Sequence, residues 1–206
     1  ELEQKITAFD GQSSWDFGAA HSLDGDTLAV GSRYNSAEGF NYGAVYVYTR
    51  SGTTWSLQQK IVPSDAAPND TFGGSAVVVV GDLLIADSIQ DDENGGDSGS
   101  VYIYARVNST WALQQKITAF DGSANDKFGF RIGCDGETLA ITARWDDDNG
   151  ADSGSVYLYE LSGADWNFLQ KITPADGAAG DYFGQAVSVA GDMVVVGASL
   201  DDDKGG

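Results

Sequence analysis

Apolar residues in this chain fall into short runs bounded by turn formers, with no spacing of the helical kind. The pattern is clearest between Phe128 and Ile172. There, Arg131 to Asp135 runs into an Asp135-Gly136 turn, and Thr138 to Ala143 follows, rich in strand formers; this predicts a tight hairpin. An acidic loop from Trp145 to Gly154 opens into Ser155-Val156-Tyr157-Leu158-Tyr159, which is apolar on both faces and so should be covered on both. A turn at Ser162-Gly163-Ala164 precedes Trp166 to Ile172, whose alternation gives a fourth strand. The unit is a four-stranded antiparallel meander.

That unit is written repeatedly. Phe-Gly stands at Phe17, Phe72, Phe128 and Phe183, at steps of 55, 56 and 55 residues. Gln-Lys-Ile ends at Ile6, Ile61, Ile117 and Ile172, and Gly-(Ser/Ala)-Val-Tyr starts at Gly43, Gly99 and Gly154. A constant period marks one supersecondary unit copied in tandem. Four-stranded units with two-sided apolar strands predict an all-β fold, a β-propeller whose blades cover one another, in preference to a solenoid with its shorter coils. The predicted divisions are an outer strand at 1–7, blades at 17–62, 72–118 and 128–173, and an incomplete blade at 183–206. The ring is therefore expected to be partial, either an interval of a longer propeller or one completed by other chains. Trp55, Trp111 and Trp166 read as packing between blades rather than as a sugar-stacking platform.

Charge narrows the partners. Thirty-one acidic residues against 11 basic ones give a net charge of −20, which repels nucleic acid and anionic membrane surfaces. No apolar run approaches the ~20 residues that span a bilayer, so no membrane insertion is expected. The chain does not begin with Met, and Glu1 reads as a mature terminus or a cut in a longer polypeptide. Cys134, the single cysteine, stands in the column of Leu23 and Val189 and reads as a small buried hydrophobe. His21 shares a column with Ile132 and Val187 and is expected on a core strand, without a catalytic partner.

The chain resembles the FG-GAP repeat family, the propeller blades of integrin α subunits and of many secreted or surface proteins. The resemblance covers the whole chain. It rests on Phe-Gly after an Asp (Asp70, Asp126, Asp181), on the strand Gly25 to Val30, and on Asp-Ser-Gly-Ser-Val-Tyr at Asp97 to Tyr102 and Asp152 to Tyr157. It implies an extracellular or cell-surface, calcium-binding interaction module. Integrin blades carry a D-x-D-x-D-G-x-x-D calcium loop in the first hairpin of the blade. Here that hairpin is only Asp24-Gly25-Asp26, Gly81-Asp82, Asp135-Gly136-Glu137 or Gly191-Asp192, too short to wrap a cation.

The oxygen-rich segments lie instead between the second and third strands. Carboxylates at i, i+2 and i+6 around a Gly turn make Asp91, Glu93 and Asp97, then Asp146, Asp148 and Asp152, and finally Asp201 and Asp203 the predicted ligands of Ca2+. Simple solvation of these charges is the alternative. The first copy has lost most of the charge, reading Asn35-Ser36-Ala37-Glu38-Gly39-Phe40-Asn41, and should hold calcium weakly or not at all. Its Arg33, Tyr34, Phe40 and Tyr42 are partner-binding candidates, with local repacking as the plain alternative. In an up-and-down meander these loops share a face with Asp65 to Asp70, Asp121 to Asp126 and Asp176 to Asp181, which makes that face the expected docking surface. Asn69 and Asn108 begin N-x-Ser/Thr sequons, the possible glycosylation sites.

Three functions follow. The first is a calcium-stabilised adhesion or interaction module that binds a protein or glycan at the cell surface. The second is a structural subunit of an extracellular filament, sheath or coat that packs against copies of itself. The third is the propeller of a polysaccharide-acting enzyme, which is disfavoured because the carboxylates recur in every repeat while no His, Cys or Ser constellation breaks the symmetry.

Overall fold

The computed structural model describes residues 4–202. It is all-β, with fourteen strands and no helix among the described residues. The first blade is β1 (Phe17–Asp24), β2 (Thr27–Ser32), β3 (Ala44–Ser51) and β4 (Thr54–Ile61). The second is β5 (Val77–Val80), β6 (Leu83–Ser88), β7 (Ser100–Val107) and β8 (Thr110–Ile117), and the third is β9 (Ile132–Cys134), β10 (Thr138–Ala143), β11 (Ser155–Ser162) and β12 (Asp165–Ile172). The fourth contributes β13 (Phe183–Ala190) and β14 (Met193–Ala198). Each complete blade is an antiparallel meander in sequence order, and β13 pairs with β14 alone. The inner strands pack in the succession β1, β5, β9, β13, so the blades form an open arc, a partial propeller ring.

The core lies in the seams between blades. On β7, Val101 and Ile103 pack with Leu139, Ile141 and Trp166 of the third blade, while Tyr102 and Tyr104 pack with Val45, Val47 and Ile61 of the first. A strand that is apolar on both faces thus belongs to two cores at once. The tryptophans sit where packing predicts: Trp111 and Trp166 are buried in the seams, and Trp55 is half-buried. Each Trp is also clamped by the glutamine of the preceding Gln-Lys-Ile. Trp111 N–H donates to Gln59 Oε1 (2.8 Å) and Gln59 Nε2 donates back to the Trp111 carbonyl (2.9 Å); Gln115 and Trp166 repeat the exchange at 2.9 and 3.0 Å. Of the outer strand predicted at 1–7, residues 1–3 lie outside the described residues. Gln4 makes the same clamp on Trp55 at 3.1 and 2.8 Å but joins no strand.

The Phe-Gly and Gly-Ser-Val-Tyr landmarks meet between neighbouring blades. Phe128 N–H donates to the Ser98 carbonyl at 2.8 Å, and Phe72 and Phe183 do the same to Tyr42 and Ser153 at 2.9 Å. This contact demands glycine at Gly99, where φ is +86° and a Cβ would lie 2.3 Å from the Phe128 carbonyl oxygen. The sequence reading of His21 needs correction: its residue is exposed, on the wall of the cleft that Ala20, Val77 and Arg131 line along the inner strands. Cys134 is half-buried against the third-blade core, and burial pushes its thiol up to about 11.

Candidate functional site

The loops between second and third strands share one face with the connections between blades. Backbone bonds join them: Asn69 N–H donates to the Phe40 carbonyl (3.0 Å), Asn125 to Gly96 (2.9 Å) and Gly180 to Ala151 (2.8 Å). Most of the chain's carboxylates therefore stand on the loop face, as the meander predicts.

The carboxylates there are organised by lysine. Lys116, on β8, lies 2.9 Å from Asp65, 3.0 Å from Asp91 and 2.6 Å from Glu93. Lys171, on β12, repeats this with Asp121 (2.8 Å), Asp146 (2.9 Å) and Asp148 (2.6 Å). Lys60, on β4, reaches Asp10 (2.9 Å), Glu38 (3.0 Å) and the Asn35 amide oxygen (3.3 Å). A tyrosine hydroxyl completes each cage. Tyr157 donates toward Asp121 (2.8 Å) and Asp146 (3.0 Å), Tyr102 lies 3.2 Å from both Asp65 and Asp91, and Tyr46 sits 2.6 Å from Asp10 and 2.7 Å from Asn35. The same tyrosines take the Phe-Gly phenylalanines edge-on at 5.2–5.5 Å, so in the second and third blades the cage rests directly on a seam.

The protonation states follow from this geometry. Burial opposes the charge on Lys116 and Lys171, but the hydrogen bonds each donates to three carboxylates outweigh it and hold both above the ordinary lysine value. Burial likewise raises Asp10, Asp65 and Asp121, and their bonds to lysine and tyrosine bring them below the usual carboxylate range. Beside two cages, Asp70 and Asp126 are pushed up to about 6, chiefly by burial and secondarily by the neighbouring carboxylates, despite accepting backbone bonds from Ala67 and Ser123.

Of the predicted calcium ligands, the structure brings together Asp91 with Glu93 and Asp146 with Asp148. Their third partner is the connecting Asp65 or Asp121. Asp97 and Asp152 stand apart: Asp97 is 3.8 Å from Lys127, and Asp152 accepts a bond from the Tyr182 hydroxyl (3.4 Å). Asp201 is described and exposed, whereas Asp203 lies outside the described residues. The point on which the carboxylates converge is taken by an ammonium, and among the described residues no group of three or more His, Cys, Asp or Glu is arranged to hold a metal. With the lysine in place, the cages therefore do not fit a calcium ion. Sequence reasoning set the connecting aspartates on this face but missed the lysines and tyrosines that join them to the loops, although Lys60, Lys116 and Lys171 keep the period of the acidic loops.

A second arrangement breaks the repeat. Phe130, Arg131, Arg144 and Trp145 in the third blade answer to Gly74, Ser75, Ile89 and Gln90 in the second. Arg144 lies 4.0 Å from the Trp145 ring centre, 4.6 Å from Tyr182 and 4.8 Å from Phe130, and Arg131 lies 4.0 Å over Phe130. Lys127 approaches Trp145 at 5.1 Å, and Arg144 also bonds to Gln185. Burial lowers Arg131, with Asp87 opposing and Arg144 adding to the shift. In the first blade, Arg33 lies 5.5 Å over Tyr34, Phe40 is 65% exposed and Tyr42 is half-buried. Among the described residues, Arg33, Arg131 and Arg144 make no salt bridge, and the Nε atoms of Arg33 and Arg144 are buried without a hydrogen-bond partner. In so acidic a chain, three guanidiniums without a salt bridge among the described residues are a departure. Asn69 is exposed beside this face and accepts a bond from Asn41 (3.1 Å), while Asn108 forms the exposed β7–β8 turn.

A sequence profile of the FG-GAP repeat matches four stretches of the chain, residues 1–48, 55–104, 111–159 and 166–206. No curated protein matches it. Among solved structures the chain is similar to the crystal structure of Saccharomyces cerevisiae Sqt1, with 12% identity and a TM-score of 0.49; the match covers 80% of this chain and 38% of that one.

Proposed function

Because the chain belongs to the FG-GAP repeat family, we propose that it is a non-catalytic protein-interaction module of an extracellular or cell-surface protein, docking its partner on the loop face. One observation carries this reading: the cluster of Arg131, Arg144, Phe130, Trp145 and Tyr182 breaks the repeat and is rich in the residue types that dominate binding energy at interfaces. Exposed carboxylates of the loops surround it, so a fitting partner presents a basic rim around a polar or acidic centre. The non-catalytic reading rests on the cages, where the carboxylates are bound to lysine in every complete blade instead of standing free as an acid and base.

The test is photo-crosslinking on cell surfaces. A crosslinker at Ala151, on the loop face, should capture a protein partner that Arg131→Ala with Arg144→Ala abolishes, while one at Val107 on the opposite edge captures none. Equal capture from Val107, or capture that survives the double substitution, overturns the assignment. Capture of a glycan in place of a protein would overturn the partner class alone.

A further inference from the structure

We propose that the caged lysines at the ends of the outer strands, Lys60, Lys116 and Lys171, are built-in cations that stand where a divalent metal would organise the loops, so that this propeller is calcium-independent, and that removing the lysine opens a calcium site in the second and third blades. This holds whether or not the loop face binds the proposed partner.

The geometry is that of a cation site with nitrogen at its centre. In the second blade one Nζ gathers oxygens from Asp65, Asp91 and Glu93 at 2.6–3.0 Å, and the Tyr102 hydroxyl lies 3.2 Å from two of those carboxylates. Calcium takes six to eight oxygens at roughly 2.3–2.6 Å, and three carboxylates supply up to six. One oxygen of each carboxylate meets Nζ, so an ion in the lysine's place has to draw these in by a few tenths of an ångström and turn the second oxygens toward it. A lysine and a calcium ion cannot both occupy the point, because like charges at that separation repel strongly in a partly desolvated site.

The lysine also does mechanically what a bound metal does. Asp65 belongs to the connection that enters the second blade, Asp91 and Glu93 to the loop between β6 and β7, and Lys116 to the outer strand β8. One ammonium therefore ties three separate segments. The third blade repeats this with Asp121, Asp146, Asp148 and Lys171 at distances within 0.1 Å of the second. The first blade provides an internal contrast. Asn35 replaces the buried aspartate there, so two carboxylates, Asp10 and Glu38, face Lys60. With that smaller negative charge, Lys60→Ala should open no useful metal site.

The test is thermal unfolding of the full chain in calcium and in chelator, for the natural sequence and for Lys60→Ala, Lys116→Ala and Lys171→Ala. The natural sequence should melt at the same temperature in both. Lys116→Ala and Lys171→Ala should each melt roughly 4–8 °C lower in chelator and regain most of that in millimolar calcium, while Lys60→Ala falls without regaining it. Two results overturn the proposal: a calcium-dependent rise in the natural sequence, or no calcium response in Lys116→Ala and Lys171→Ala. Should those variants not fold, calcium titration calorimetry on the natural chain decides alone. Heat of binding there that disappears in Asp148→Asn sinks the proposal, and its absence upholds it.

Discussion

Asp87 is the most consequential single acid in the fold. It is fully buried on β6, and its carboxylate accepts backbone bonds from Ser75 (3.1 Å) and Ala76 (2.8 Å). Burial pushes it up to about 7 against those bonds and the attraction of Arg33. The unfolded chain titrates it near 3.8. Because the folded value is the higher one, the folded state keeps a proton that the unfolded state releases, and the associated stability is full below pH ~3.8 and lost as pH rises through ~7. Some three pH units at about 1.4 kcal/mol each amount to ~4 kcal/mol. Asp70 and Asp126, at about 6, act in the same direction. The lowered Asp10, Asp65 and Asp121 oppose it only in acid, below the ordinary carboxylate range. The melting temperature should therefore climb as pH falls from 8 to 5 and drop again below about 4. Asp87→Asn mimics the protonated acid and gives up about 1 kcal/mol of hydrogen bonding, leaving a net gain of ~3 kcal/mol at pH 8, or roughly 6–12 °C. It should also flatten the slope between pH 6 and 8. Melts of both proteins across that range are the assay. An Asp87→Asn chain that is less stable at pH 8, or keeps the natural slope, would show an ionised Asp87 paired to arginine and refute the reasoning.

Three further outcomes follow from the same geometry. Phe128→Ala empties a fully buried seam and should cost about 3–5 kcal/mol in denaturant unfolding, against under about 1 kcal/mol for Phe120→Ala, whose ring is 67% exposed. Gly99→Ala places a methyl 2.3 Å from the Phe128 carbonyl at a positive φ, so limited proteolysis should open the connection between the second and third blades while each blade remains protected. Cys134, with its thiol near 11 and half-buried, should resist iodoacetamide at pH 8 in the native chain and react fully in denaturant, as read by mass spectrometry.

What was legible in the sequence is what is local. The Asp135-Gly136 turn and the two-sided run Ser155 to Tyr159 fix a hairpin and a covered strand by their own residues, and both stand in the fold. The strand predicted from Arg131 to Asp135 narrows to Ile132–Cys134 because Arg131 N–H turns to the Thr142 hydroxyl (3.0 Å). What was not legible is what the ring assembles from distant residues. Lys116 is 51 residues from Asp65 and 25 from Asp91, so an acidic loop read alone looks like a metal site, while the cation that fills it lies two strands downstream. His21 misled for a related reason, since a column of Ile132 and Val187 does not reveal which inner-strand positions face the open axis.

The repeat separates architecture from specificity. Features present in every complete blade, the glutamine clamp on tryptophan and the lysine cage, serve stability wherever they occur. Features present once need another account. Asp87 stands in the column of Gly31, Thr142 and Gly197, and Thr142 accepts the equivalent backbone bond with a neutral hydroxyl. The turn therefore does not require a carboxylate, and the charge of Asp87 is surplus to the fold. It lies in the electrostatic reach of Arg33 from the first blade and Arg131 from the third, two of the three guanidiniums that find no salt bridge among the described residues. The pair of positions just after each second strand varies in the same way: Arg33-Tyr34, Ile89-Gln90, Arg144-Trp145 and Ser199-Leu200. Because the cage fixes the backbone immediately after them, these positions can change in chemistry without altering the blade, and partner discrimination is most economically encoded there.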